Sequence, residues 1–391
     1  MEDLSQSRIL IVDDAKANID ILVEALRHDY KLSVALSGES ALQSIERSPP
    51  DLVLLDIVMP GIDGYEVCRR LRAAPQTREL PVMFLSALEQ VHDKARGFEL
   101  GANDYVTKPF ELLEVKARVR SLLKAKAYTD AVKERIASEL RIAREIQLGI
   151  LPADIAASAA GTGFEIATFL EPAREIGGDL YEVLRTDDGR LVVAIGDVSG
   201  KGIPAALFMA VTTTLVRTLG LRYREPDEIV AHVSDALARQ NPQDMFVTLF
   251  CAVFDPESEL VSCASAGHPS LVLMRPGRPP ELAVAPTGGV AGFEPGLRVT
   301  RRSVRVLPGD TLVLYTDGVT EAMDEQDRLF GEERLLAHLA AEPGATAAAT
   351  VAGLSAAVRR FVGRRDPADD IAIVALQRLK PCPIEALPSR S

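Results

Sequence analysis

Acidic side chains stand where short apolar runs stop. Asp13 and Asp14 follow Arg8–Val12, and Asp56 closes Asp51–Leu55. A third run, Pro81–Leu85, ends at the hydroxyl of Ser86, and Lys108 stands just before Pro109. Continuous apolar strands that alternate with helical patterns predict a parallel sheet covered on both faces, with function gathered beyond the carboxyl ends of its strands. Three carboxylates at one sheet edge repel each other unless a cation joins them, and all-oxygen ligation suits Mg²⁺. Lys108 can neutralise and position a further oxygen group, and Ser86 adds a hydroxyl. Together these are the parts needed to form an aspartyl phosphate.

A second set of carboxylates lies further along. Asp179 follows Gly177-Gly178, Asp197 sits in Gly196–Gly202, Asp317 precedes Gly318, and Asp369-Asp370 precede the apolar run Ile371–Leu376. Each is beside a glycine, a strand edge or both, where backbone can approach an ion closely. With no compensating lysine expected among them, their convergence calls for divalent metal, most simply two Mg²⁺ or Mn²⁺. Such ions sit roughly 3.5–4 Å apart and activate water for in-line attack on phosphorus. Other chemistries fail on spacing. A nucleotide loop would need glycine at Ile195 and a hydroxyl at Gly202. No cysteine is followed six residues later by arginine, which excludes a cysteine-phosphatase loop. The five histidines are too scattered for a zinc cluster, and His268, in Ala266–Pro269, is expected to be structural.

The elements that must position these residues divide the chain into a region 1–125, a helical coiled-coil linker 126–160, a region 161–380 and a flexible tail 381–391. The first is expected to be an α/β doubly wound, five-stranded parallel sheet. From Leu112 to Ile150 there is no proline, and the series Leu122, Ala125, Thr129, Val132, Ile136, Glu139, Ala143, Ile146, Ile150 is apolar at seven of nine positions. That predicts one long helix with a seam able to dimerise, ended by Leu151-Pro152. Beyond it, hairpins are expected at Gly178–Thr186 with Leu191–Gly196, and at Met245–Phe254 with Leu260–Ala266. Helices are expected at Pro204–Leu219, Pro226–Gln240, Glu332–Ala341 and Ala345–Val362, giving an α+β sandwich.

Composition sets the remaining limits. The 391 residues carry 56 acidic against 44 basic side chains, a net charge of −12, and no region is basic, which argues against nucleic-acid and anionic-membrane partners. A hydrophobic content of 47% excludes global disorder. There is no run of 18 apolar residues and no signal-peptide layout at Met1–Leu4, so a cytoplasmic protein is expected. Cys68, Cys251, Cys263 and Cys382 are expected as reduced thiols, with a Cys251–Cys263 disulfide across the second hairpin as the competing reading.

Val12–Asp14, Leu55–Gly64, Ser86-Ala87 and Thr107–Phe110 resemble the receiver domain of two-component response regulators, over roughly residues 8–125. The resemblance implies Asp56 as phosphoacceptor, phosphorylated by a cognate histidine kinase. It also implies Asp13 and Asp14 as Mg²⁺ ligands with Asp56 and the Val58 carbonyl, Ser86 and Tyr105 as the switch pair, and Lys108 on the phosphate.

Arg144–Gln147, Leu151-Pro152, Pro172–Asp179, Gly196–Gly202, Ala266–Pro269, Tyr315–Gly318 and Asp369-Asp370 resemble the metal-dependent Ser/Thr protein phosphatases of the stage-II-sporulation-E type. That resemblance, over about residues 140–378, implies an αββα sandwich with two Mn²⁺ or Mg²⁺. The ligands would be Asp197, the Val198 carbonyl, Asp317 and Asp369, with Asp179 direct or through water and Asp370 the weaker of its pair. Arg174 would grip substrate phosphate, with a surface salt bridge as the alternative. Ser199 stands where the eukaryotic branch has a histidine, so the motif names no general acid. The implied substrate is a phosphoserine on an anti-sigma-factor antagonist, with a homodimer through the linker helix. The alternative is a catalytically weak, phosphatase-like adaptor that binds a sigma factor or its regulator. Asp179, Asp197, Asp317 and Asp369 are all present, which favours the enzyme.

Overall fold

The structure is a computed structural model that describes residues 4–86, 97, 99–241, 243–255, 258–341 and 346–380. Ala87, Ala345, Cys382 and the tail 381–391, all named in the expectations above, lie outside the described residues. The chain separates into two compact units, Met1–Ser138 and Glu139–Ser391.

In the first unit β1 (Arg8–Val12), β2 (Lys31–Ala35), β3 (Leu52–Asp56), β4 (Val82–Ser86) and β5 (Asp104–Thr107) form one parallel sheet in the order β2-β1-β3-β4-β5. The apolar runs supply both faces at once. Leu10, Val12, Val53, Leu55, Val82 and Phe84 pack into one core, while Ile9, Ile11, Leu52, Leu54, Met83 and Leu85 pack into the other. Helices α1 (Lys16–Leu26), α2 (Gly38–Arg47) and α3 (Gly64–Ala73) connect the strands. Ser37 and Asp63 cap α2 and α3 with side-chain acceptors. Register aligns Val12 with Leu55, Asp56 with Leu85 and Ser86 with Thr107, so the predicted site residues leave the sheet at one edge.

Helix α4 (Leu112–Ile150) has the limits that its proline-free pattern predicts. Along its seam Val132, Ile136 and Ile146 are exposed.

The second unit stacks two antiparallel sheets between helices. One has the order β13-β10-β9-β8-β7 and the other β12-β11-β14-β15-β6. After α5 (Ile155–Ala159), the strands are β6 (Phe164–Glu171), β7 (Leu180–Arg185), β8 (Leu191–Val198), β9 (Val247–Phe254), β10 (Leu260–Ala266), β11 (Leu271–Met274), β12 (Glu281–Val284), β13 (Arg302–Arg305), β14 (Thr311–Tyr315) and β15 (Ile371–Arg378). Helices α6 (Ile203–Arg222) and α7 (Pro226–Ala238) cover the first sheet, with α8 (Asp317–Thr320), α9 (Gly331–Ala341) and α10 (Ala347–Val362) on the side of the second. Strand alternation creates the central core, where Val193, Ile195 and Phe250 of one sheet meet Leu312, Leu314 and Val374 of the other. Phe164 and Phe254 cross it edge to face, their centroids 4.8 Å apart. Both expected hairpins form.

Register corrects one expectation. Cys251 pairs with Ala264 and Cys263 with Ala252, an offset of one residue that sends the two thiols to opposite faces of the sheet. Cys251 lies in the core under the helices and Cys263 in the core between the sheets, and both are free. The reduced reading holds and the disulfide does not. Helix α6 has the length and mean hydropathy, 1.4, of a membrane span. Its Ala205, Met209 and Val216 instead pack against the first sheet.

Candidate functional site

Asp13 is fully buried at the end of β1. Its carboxylate accepts from Lys108 Nζ at 2.7 Å, from the Ala15 amide at 2.9 Å and from Asn18 Nδ2 at 3.0 Å. Lys108 also reaches Asp56 Oδ2, at 2.9 Å. Asp14 is exposed, and oxygens of Asp13, Asp14 and Asp56 all lie within 4.8 Å of one another. Burial pushes the Asp56 carboxyl up from its ordinary range, and Asp13 adds to the rise, while Lys108 and the Val58 amide oppose it. For Lys108 burial works downward, but its bonds to Asp13 and Asp56 win and its pKa is raised. Ser86 is buried beside this edge on β4, and Tyr105 on β5 is half-buried, 5.8 Å below the Arg118 guanidinium. Val58 is exposed in the loop after β3. Gly64 opens α3 so close to the end of β3 that a Cβ would stand 2.2 Å from the Asp56 carbonyl. The clustered oxygens and hard donors fit a Mg²⁺ ion.

In the second unit four separate segments bring aspartates together. Asp179 enters β7, Asp197 lies at the end of β8, Asp317 starts α8 after β14, and Asp369 and Asp370 lead into β15. Asp179 is 2% exposed, and its carboxyl is raised well above the usual range by burial, then by the charges of Asp197 and Asp370. Asp197 is pushed up to about 7, first by burial and then by Asp317, Asp369 and Asp370. Asp317 is raised as well, by burial, Glu321 and Asp369. The chemistry of this all-carboxylate set fits Mg²⁺ or Mn²⁺. Among the described residues no three of these aspartates bring oxygens within 4.8 Å, unlike the Asp13 cluster.

Three site residues escaped the sequence reading. Lys201 pairs with Asp369 Oδ2 at 3.1 Å and donates to the Ala368 carbonyl at 2.6 Å, so the carboxylates do have one compensating lysine. Thr316 Oγ1, fully buried, donates to Asp179 Oδ2 at 2.7 Å and accepts from the Ala372 amide at 2.9 Å. Gln147 bonds both backbone groups of Gly177. All three lie inside the motifs quoted above, Gly196–Gly202, Tyr315–Gly318 and Arg144–Gln147, but no role was read for them there. Asp370 accepts the Ala173 amide at 2.7 Å on one oxygen and the Gly178 amide at 2.6 Å on the other, which holds the loop that carries Arg174. Arg174 is exposed. His268 is buried, with Nδ1 2.9 Å from Thr248 Oγ1, and burial lowers its pKa to about 3, so it is neutral near pH 7.

A doubly wound sheet with an Asp–Lys edge, followed by an αββα sandwich with clustered aspartates, defines a response regulator with a phosphatase-like output fold. Residues 9–120 match the response regulator receiver domain family, and residues 187–379 match the Stage II sporulation protein E family. The chain therefore carries a receiver domain and a PP2C-like domain of the sporulation-E type. Response regulator PleD of Caulobacter vibrioides is 43% identical over 137 residues, which is 35% of this chain and 30% of PleD. The SiaA-PP2C domain of Pseudomonas aeruginosa aligns over 63% of this chain and 98% of its own, with a TM-score of 0.56 at 22% identity, a likeness of fold. The Francisella response regulator 1452 receiver domain is 32% identical over 31% of this chain and 98% of its own, with a TM-score of 0.29.

Proposed function

We propose that this chain is a phosphorylation-controlled, metal-dependent protein serine/threonine phosphatase. The observation that carries the reading is the gathering of Asp179, Asp197, Asp317, Asp369 and Asp370, where burial first and then the charges of Asp317, Asp369 and Asp370 push the Asp197 carboxyl up to about 7. Divalent ions bound there would act as Lewis acids on the phosphoryl oxygens and lower the pKa of water. The chain's own residues do the rest. Asp197, the Val198 carbonyl, Asp317 and Asp369 would hold the ions, with Asp179 oriented by Thr316 and Asp370 fixing the loop. Arg174 would meet the substrate phosphate from that loop, and Lys201 would restrain Asp369.

In the receiver, Asp56 would be the phosphoacceptor for a histidine kinase, with Mg²⁺ held by Asp13, Asp14, Asp56 and the Val58 carbonyl. Lys108 would follow the phosphoryl oxygens, and Ser86 and Tyr105 would respond to them. The change would travel along α4, whose exposed seam supports a homodimer. The substrate fitting this reading is a phosphoserine on an anti-sigma-factor antagonist, the partner-switching role that the family resemblance implies.

The test is hydrolysis of p-nitrophenyl phosphate with Mn²⁺ or Mg²⁺, before and after treatment with a phosphodonor. Metal-dependent turnover is expected in at least one state. No turnover with either metal in either state would sink the enzyme.

A further inference from the structure

The last turns of α4 belong to the second unit, and they grip the segment that leads into Asp179. Gln147 is 6% exposed; its Nε2 donates to the Gly177 carbonyl at 2.6 Å, and its Oε1 accepts from the Gly177 amide at 3.3 Å. One turn earlier Arg144 reaches the Glu175 carbonyl at 3.5 Å. From the opposite side Asp370 takes the amides of Ala173 and Gly178. Gly177 is pressed between the two, since a Cβ on it would lie 2.5 Å from Asp370 Oδ2. The helix end is itself anchored. Arg217 donates to the Ile150 carbonyl at 2.6 Å and to buried Glu182 on β7 at 2.8 Å, and Leu151 enters the core. The segment Ala173–Asp179 is thus strapped between a helix side chain and a carboxylate of the candidate metal centre.

We propose that Gln147 is a positioning residue for that centre. By holding Gly177 it sets where Asp370 and Asp179 stand, and so makes metal affinity depend on how the end of α4 is seated. The inference rests on the metal-centre reading above and adds the point at which the linker helix acts on it. A side chain that only filled space could be replaced by leucine, which has nearly the same size. A side chain that orients ligands could not, because outer-shell hydrogen bonds commonly carry one to two orders of magnitude in metal affinity.

The experiment is calorimetric titration of Mn²⁺ into the full-length protein, wild type, Q147L and Q147A, with D317A marking which part of the isotherm belongs to the phosphatase site. Melting temperature in EDTA reports folding separately. We expect Q147L and Q147A to weaken the D317A-sensitive binding by about 10- to 100-fold. Turnover of p-nitrophenyl phosphate should recover towards the wild-type kcat at saturating Mn²⁺. Unchanged Mn²⁺ affinity in both variants would overturn the proposal, as would a kcat that stays low at saturation. If D317A and wild type give the same isotherm, the metal centre itself is wrong, and the positioning role falls with it.

Discussion

Gly318 shows how tightly single residues are constrained beside the carboxylates. A Cβ there would lie 1.8 Å from the Asp370 carbonyl, so no side chain fits without moving backbone. G318A should destabilise the protein by about 1–3 kcal/mol, the cost of overpacking, read as a lower urea midpoint. D317A is expected to bring phosphatase turnover to background while acetyl phosphate still labels Asp56; loss of both would point to misfolding. His268 makes a pH prediction. Its folded pKa of about 3 lies below the ordinary value near 6.5, so the unfolded chain binds the extra proton as pH falls. Its contribution to stability is complete above pH about 6.5 and declines towards pH 3, by about 1.4 kcal/mol per unit. Raised carboxyls such as Asp197 slope the other way. The check is therefore the stability difference between wild type and H268Q, which should shift against the wild type between pH 7 and 5.5. Asp13, Asp56 and Lys108 were legible as single residues because each borders a strand. Lys201, Thr316 and Gln147 were not, since their partners lie 167, 137 and 30 positions away.

At the scale of elements, periodicity carried most of the information. The proline-free run Leu112–Ile150 became α4 with the same limits, because helix propensity and an unbroken pattern are local properties. Strand ends moved by a residue or more where contacts decided them. β3 runs Leu52–Asp56 rather than Asp51–Leu55, as Asp51 turns its carboxylate to the Arg8 amide at 2.8 Å. β7 begins at Leu180, because Gly177 and Gly178 are bound by Gln147 and Asp370 and cannot join the ladder. The exposed seam residues Val132, Ile136 and Ile146 predict self-association of α4. Light scattering at tens of micromolar should give a dimer mass, and V132D/I136D should give a monomer. A monomeric wild type with the receiver both phosphorylated and unphosphorylated would refute the seam.

For the whole molecule the testable statement concerns communication. If the receiver controls the phosphatase, D56A should abolish the change in turnover that acetyl phosphate produces in the wild type. A persisting change would mean that the signal enters elsewhere. The net charge of −12 takes on a local meaning here, since several surplus carboxylates gather in two places, around Asp13 and Asp56 in the first unit and around Asp197 in the second. The sequence by itself determined the apolar strands at the two groups of aspartates, the two hairpins and the long helix, and that those aspartates stand at strand edges. Those properties follow from short-range periodicity and from the cost of burying unpaired polar groups. Tertiary structure decided who meets whom. Register sent Cys251 and Cys263 to opposite faces, brought Lys201 to Asp369, and set Gln147 against Gly177. The pairing of distant strands and the packing of a helix end depend on the whole core at once, and no local pattern encodes them.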